Sequence, residues 1–315
     1  MSLIRYGLLF ALVAFLLGIS FVAADLYAKK VLGLGDPIVY DAHKLWGYSP
    51  RPNKSYNRFI DKKVSINNIG ARGLDNWDKN GKNIVFFGDS VSYAGSYIDD
   101  DQTFISIACQ SIKNWVCHNA GVNSYGILNM IARSRHDKRV NDAEFRVFTF
   151  VTGDFDRGLQ TSNRAHFVLR EPPAYMSGLW EILNFMAASI ELKSWFGKNS
   201  DIKTSREEIY LNRMFNLEIF LTELERLKEN NQKFLLIHSP SVTELENLDL
   251  INENEFFLIL QNMYANNLIS LSDILISPYR NKKKLLFKDN VHYEENGHLI
   301  VGKYLAPELL KLIKE

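Results

Sequence analysis

Asn83-Ile84-Val85-Phe86-Phe87-Gly88-Asp89-Ser90 is the stretch on which the fold turns. A short apolar run closed by a glycine is how a strand buried on both faces reads. Three comparable runs follow: Trp115–His118, closed by Asn119-Ala120-Gly121; Arg146–Val151, closed by Thr152-Gly153-Asp154; and Lys233–Ile237, closed by His238-Ser239-Pro240. Leu285–Phe287 is expected to add a short fifth strand. Between these runs, Thr103–Lys113, Leu128–Arg135, Trp180–Leu192 and Arg206–Glu229 carry helical periodicity. Arg206–Glu229 has an apolar stripe through Leu211, Met214, Phe215, Leu217, Phe220, Leu221, Leu224 and Leu227, which core packing explains without a partner helix. Strands alternating with helices predict an α/β fold, a three-layer α/β/α sandwich around a parallel sheet. In such a sheet functional groups gather at the carboxyl ends of the strands. Each strand proposed here ends in small or polar residues.

Outward toward the N-terminus, Tyr6–Ala24 is an uncharged stretch between Arg5 and Asp25. About twenty apolar residues match the hydrocarbon core of a bilayer. The stretch lacks a polar stripe and is longer than a typical signal-peptide core, so residues 1–30 are expected to be an uncleaved transmembrane signal anchor. Cleavage near Val22 and Ala24 is the competing reading. Arg5 before the helix is outnumbered by Lys29 and Lys30 after it, but long domains translocate largely regardless of such charges. The expectation is a single-pass membrane protein whose large domain is extracytoplasmic.

Residues 31–80 are rich in Gly, Pro and Asn, and are expected to form a connecting strap with one short strand near Lys63–Ile66. Gly33-Leu34-Gly35 follows no strand, and it reads as a turn rather than a nucleotide fingerprint. Residues 81–315 then form the main domain, with a helical insertion at about 156–231. The formal net charge of +1 gives no global field for nucleic acid, and the run Lys282-Lys283-Lys284 reads as a solvated loop. The two cysteines, Cys109 and Cys117, read first as small buried apolar groups, with a disulfide as the alternative in an oxidising compartment. No His, Cys and Asp cluster has metal-ligand spacing, so neither metal nor cofactor is expected.

Two motifs carry chemistry. Gly88-Asp89-Ser90 places a hydroxyl on a tight turn above a strand, where backbone N–H groups can face a developing oxyanion. Asp289-Asn290-Val291-His292 lets a carboxylate orient an imidazole three residues away, and a serine hydroxyl needs such a base. Of the other histidines, His118 reads as core. His238 closes a strand at the active edge and reads as structural, or as a residue lining the cleft.

Gly88-Asp89-Ser90 resembles the first sequence block of the SGNH/GDSL hydrolase superfamily. Asn119-Ala120-Gly121-Val122-Asn123 is similar to its second block, and Asp289-Asn290-Val291-His292 to its last, again near the chain end. The resemblance covers about Asn83 to the C-terminus, with the middle insertion unmatched. It implies a flavodoxin-like sheet, Ser90 as nucleophile, His292 as base and Asp289 as its orienting acid. It also implies that the N–H groups of Ser90 and Gly121 bind the oxyanion during ester hydrolysis or O-acyl transfer. Gly47–Asn53 and Asn68–Gly73 look like the lead-in of envelope-associated members linked to surface polysaccharides, which implies glycan O-acetyl groups as substrate. The third block departs from the family: its oxyanion-binding Asn is absent, and Gly153 or Asp154 stands there. Loss of one such donor costs about a hundred- to a thousand-fold in rate. Asn123 is a nearby substitute donor. The departure keeps open a second reading, a weakened domain that binds or presents an envelope glycan.

Overall fold

The computed structural model describes residues 2–58, 62–162, 168–187, 206–252, 254–282 and 285–314. Its centre is a five-stranded parallel sheet of β5 (Lys82–Gly88), β6 (Trp115–Gly121), β7 (Phe145–Phe150), β8 (Lys233–His238) and β9 (Leu268–Ser270). The spatial order is β6-β5-β7-β8-β9. Numbered from the first strand of the sheet this is 2-1-3-4-5, the flavodoxin-like order. Successive side chains point to opposite faces. Val85, Phe87, Phe148, Phe150, Phe234 and Leu236 therefore enter one core cluster, while Ile84, Phe86, Val147, Leu235 and Ile237 enter another.

The first face is covered by α4 (Ile127–His136), α5 (Arg206–Glu229) and α6 (Glu255–Tyr264), through Met130, Phe220, Leu224 and Leu260 among others. The second is covered by α3 (Phe104–Cys109), α7 (Ser272–Lys282) and α8 (Glu295–Lys314), through Phe104, Leu275, Val301 and Leu305. Helices on both faces explain why these strands read as nearly unbroken apolar runs.

Two expectations are corrected, the fifth strand and the first reading of the cysteines. The fifth strand is not Leu285–Phe287; Phe287 makes only an isolated bridge to Tyr293, and the sheet edge is β9. That edge strand has three residues, all partly exposed, too few to show a strand period. Residues 31–80 contain the expected strand near Lys63–Ile66 and three more. They form two antiparallel hairpins, β1 (Tyr40–His43) with β2 (Gly47–Pro50) and β3 (Lys54–Arg58) with β4 (Lys62–Ile66). Tyr40, Tyr48, Tyr56, Val64 and Ile66 enter the first core cluster, so the hairpins share the core of the domain. Cys109 and Cys117 are not free thiols but a disulfide joining α3 to β6. Closing a loop that short constrains the unfolded chain by roughly 2.5 kcal/mol in the chain-entropy account.

The helical insertion holds a helix over 177–187, and residues 188–192 of the expected Trp180–Leu192 helix lie outside the described residues. Lys283 and Lys284 of the basic run also lie outside them. The N-terminal α1 (Ser2–Lys30) is long and apolar enough to cross a membrane, and its apolar window is unburied.

Candidate active site

The end of β5 builds the nucleophile turn. A Cβ on Gly88 would meet Ser92 Oγ and the Thr149 carbonyl, so only glycine lets the chain pass here. Asp89 caps the four-residue helix α2 (Ser90–Tyr93), and its Oδ1 accepts the Val91 N–H at 2.8 Å. Ser90 thereby becomes the first helical residue, half-buried at the carboxyl edge of the sheet. Ala94 closes α2 in the left-handed region.

The structure brings His292 to this serine across 202 residues: its Nε2 lies 2.8 Å from Ser90 Oγ. Its Nδ1 lies 2.6 Å from Asp289 Oδ2. An ionised carboxylate only accepts, so Nδ1 carries the proton and Nε2 accepts from the Ser90 hydroxyl. Asp289 Oδ1 also accepts the N–H groups of Val291 and His292, each at 2.9 Å. Partial burial raises the Asp289 pKa, but these N–H groups and the imidazole outweigh it and hold the carboxyl below its usual range.

Residues that carry no motif hold this loop. The Asn290 carbonyl accepts the Val242 N–H at 2.7 Å, and Asn290 Oδ1 accepts from the N–H and hydroxyl of Thr243. The Tyr293 hydroxyl bonds Ser239 Oγ, and the Tyr293 carbonyl accepts from the Tyr97 hydroxyl at 3.0 Å. On the other side, Arg72 of the Asn68–Gly73 turn donates to the carbonyls of Tyr93, Gly95 and Ile98 and pairs with Asp100. It braces the loop that follows α2. The sequence exposes Asn290 as part of Asp-x-x-His, Arg72 as part of the Asn68–Gly73 lead-in and Ser239 as part of a strand closer, but nothing local marks Thr243.

The expected oxyanion-binding residues are arranged differently. The Gly121 N–H donates to Asn119 Oδ1 at 3.0 Å, a short intrastrand loop on a buried segment. Gly153 lies in a 3₁₀ turn (Thr152–Asp156) with open space where a side chain would start. Asp154, in the same turn, is fully buried and points inward: Oδ2 accepts the Val151 N–H and Oδ1 accepts from Arg157 Nη1 at 2.9 Å. Burial, and then the neighbouring Asp89 carboxylate, push the Asp154 carboxyl well above its usual range against the pull of Arg157. Burial raises the Asp89 carboxyl as well, against the pull of Arg157. Arg157 Nη1 stands 4.0 Å from Asp89 Oδ2, which accepts no hydrogen bond. Asn123 is used by the hairpins: its carbonyl accepts from the Tyr48 hydroxyl at 2.7 Å, and its Nδ2 reaches the Tyr40 hydroxyl at 3.4 Å.

His118 is core, bonded to Asn83 and Asn67. His238 is fully buried between Thr152 and Ser270, and burial lowers its pKa, so it stays neutral and structural.

No family model and no curated protein matches the chain. Solved structures do. A lipolytic protein of the G-D-S-L family from Veillonella parvula is 17% identical, covering 73% of this chain and 98% of its own, with a TM-score of 0.40. A lipase/acylhydrolase from Enterococcus faecalis is 16% identical, covering 72% and 95%, with a TM-score of 0.42. A catalytic mutant of an acetylxylan esterase from Geobacillus stearothermophilus is 12% identical, covering 75% and 96%, with a TM-score of 0.44. Likeness at this level bears on no more than chain path. Independently of it, the parallel sheet runs in the order 2-1-3-4-5, with Ser90 at the end of its first strand and His292 beside it.

Proposed function

We propose that the protein is a serine ester hydrolase of the SGNH/GDSL type that removes or transfers O-acyl groups, acetyl above all, on a cell-envelope glycan. The observation that carries this reading is His292, hydrogen-bonded to Ser90 on one ring nitrogen and to Asp289 on the other. Ser90 Oγ attacks the acyl carbon as His292 Nε2 takes its proton. The imidazolium, steadied by Asp289, returns that proton to the departing alcohol, leaving an acyl-enzyme at Ser90. Water or a sugar hydroxyl then accepts the acyl group, with His292 acting as base again. The N–H at the start of α2 is the donor best placed for the oxyanion, because the first turn of a helix leaves its N–H groups without intrahelical partners.

The lead-in segments support the glycan part of the reading, since both brace this edge through Tyr48 and Arg72. The Cys109–Cys117 disulfide supports an extracytoplasmic domain, because such bonds persist in oxidising compartments. A C-terminal alkaline phosphatase fusion is expected to be active, and an inactive one counts against that side.

A second reading has a specific observation behind it. Neither the third-block Asn nor a free Gly121 N–H is present for the oxyanion. On that reading the domain binds an acylated glycan without rapid turnover. A fluorophosphonate probe separates the two. The full chain labels and hydrolyses p-nitrophenyl acetate if it is an esterase, and Ser90→Ala and His292→Ala lose both. Absence of labelling and turnover in the wild type favours the binding domain.

A further inference from the structure

The last turn of α1 does not leave the membrane as a free tether. Asp25 is buried; its Oδ2 pairs with Lys29 Nζ at 2.6 Å and its Oδ1 accepts the Leu179 N–H at 3.0 Å. Lys29 Nζ also donates to the Ala174 carbonyl at 3.0 Å. A Cβ on Gly178 would meet Ala28 Cβ at 2.8 Å and the Asp25 carbonyl at 2.9 Å, so the two helices touch through backbone. Beyond the contact, Glu181 is buried, forms a two-pronged pair with Arg58 and accepts the Gly35 N–H. The helix over 177–187 is thus fastened both to α1 and to the hairpins.

This contact fixes a height. The uncharged run Tyr6–Ala24 has nineteen residues, about 28 Å of helix, close to the roughly 30 Å hydrocarbon core. With that run in the core, Asp25 and Ala28 stand in the headgroup layer, and Gly178 and Leu179 stand beside them. The exposed side chains of the fastened segment are nonetheless apolar: Tyr175 is 76% exposed, Leu183 57%, Met186 55% and Phe185 48%. Leu179, Leu183 and Met186 follow an i, i+4, i+7 spacing, one helix face, while Gly178 and Glu181 take the protein-facing side. An exposed apolar helix face of this kind needs a cover, and here it is continuous with the membrane helix.

We infer that Tyr175, Leu183 and Met186 form a second membrane contact, an interfacial element that lies in the headgroup and upper acyl region beside α1. This inference rests on the membrane-anchor reading. Lipid is the occupant because the face adjoins a helix whose own apolar surface is unburied. The domain is then held at two points, so the edge carrying Ser90 keeps a set tilt and distance from the bilayer instead of swinging on a linker.

Both native cysteines are bridged, so single introduced thiols can carry an environment-sensitive fluorophore. The full chain is reconstituted in phosphatidylcholine vesicles with labels at Leu16→Cys, Leu183→Cys, Met186→Cys and, as a water-facing control, Leu299→Cys. Nitroxide lipids quench either at the headgroup or deep in the acyl chain. The expected result is deep quenching at position 16. Headgroup quenching should be about twofold stronger at 183 and 186 than at 299. Labels at 183 and 186 that match 299, with position 16 still deep, overturn the inference and leave the anchor intact. An unquenched position 16 overturns the anchor reading itself. Labels at 183 and 186 shielded from water yet not quenched by lipid assign the face to protein and also overturn the inference. Where either substitution lowers the melting temperature, Tyr175→Cys reads the same surface.

Discussion

The two halves of the site are built by different means. On the proton-transfer side three side chains converge: Ser90, His292 and Asp289 form a continuous hydrogen-bonded row, and Asn290, Thr243 and Tyr293 pin the loop that carries two of them. On the oxyanion side, of the groups that family resemblance nominates, only the Ser90 N–H is left for that task. The Gly121 N–H serves Asn119, Asp154 is turned under the sheet edge, and Gly153 offers no side chain. On the proposed function, the difference leaves a complete proton relay beside an oxyanion site served mostly by backbone. Binding the oxyanion is commonly the larger energetic contribution, so the two halves have separable effects on rate.

The largest expected effect tests the relay. Asp289→Asn keeps acceptors for the Val291 and His292 N–H groups but removes the charge and can invert the imidazole tautomer. The Asp289 side chain is 52% exposed, so water replaces part of the interaction. The fall in kcat for p-nitrophenyl acetate is expected to be about a hundredfold, at the low end for general-base function. An unchanged kcat would remove Asp289 from the relay.

The next test adds to the weak half. Gly153 does not adopt positive φ and has room beside it, so Gly153→Asn is sterically permitted. If the absent donor limits the rate, kcat rises by about tenfold to a hundredfold with little change in KM. A fall, or no change, means that the oxyanion is already served from elsewhere.

The smallest effect concerns the acid pair beneath the turn. A carboxyl whose pKa is raised on folding makes the native state bind more protons than the unfolded state above about pH 4. Stability then falls as pH rises from the unfolded pKa toward the folded one. Asp154→Asn removes that dependence. In urea unfolding at about pH 5 and about pH 8, the wild type should lose more stability between the two than the variant, by on the order of 1 kcal/mol. Equal losses would mean that Asp154 is ionised and fully paired with Arg157.

Much of this was legible beforehand where the signal is local. The apolar runs at 83–87, 146–151 and 233–237 became strands, and Arg206–Glu229 became a helix with the bounds its periodicity implied. Of the hairpin strands, Lys62–Ile66 was legible and the other three were not, because strands of four or five residues rich in polar side chains show too little period. The Cys109–Cys117 bridge depends on where α3 ends relative to β6, which no spacing rule specifies.

By itself, then, the sequence determined the parallel sheet, the apolar N-terminal helix and the two blocks that bear Ser90 and His292. These follow from side-chain period and turn chemistry, which act over a few residues. Only the tertiary structure decided that a sequence separation of 202 closes to a 2.8 Å hydrogen bond. It alone turned Asp154 inward and fastened α1 to Gly178 and Leu179. The physical reason is the same throughout: burial and hydrogen-bond pairing depend on which surfaces meet, and that is a property of the packed chain rather than of any segment in it.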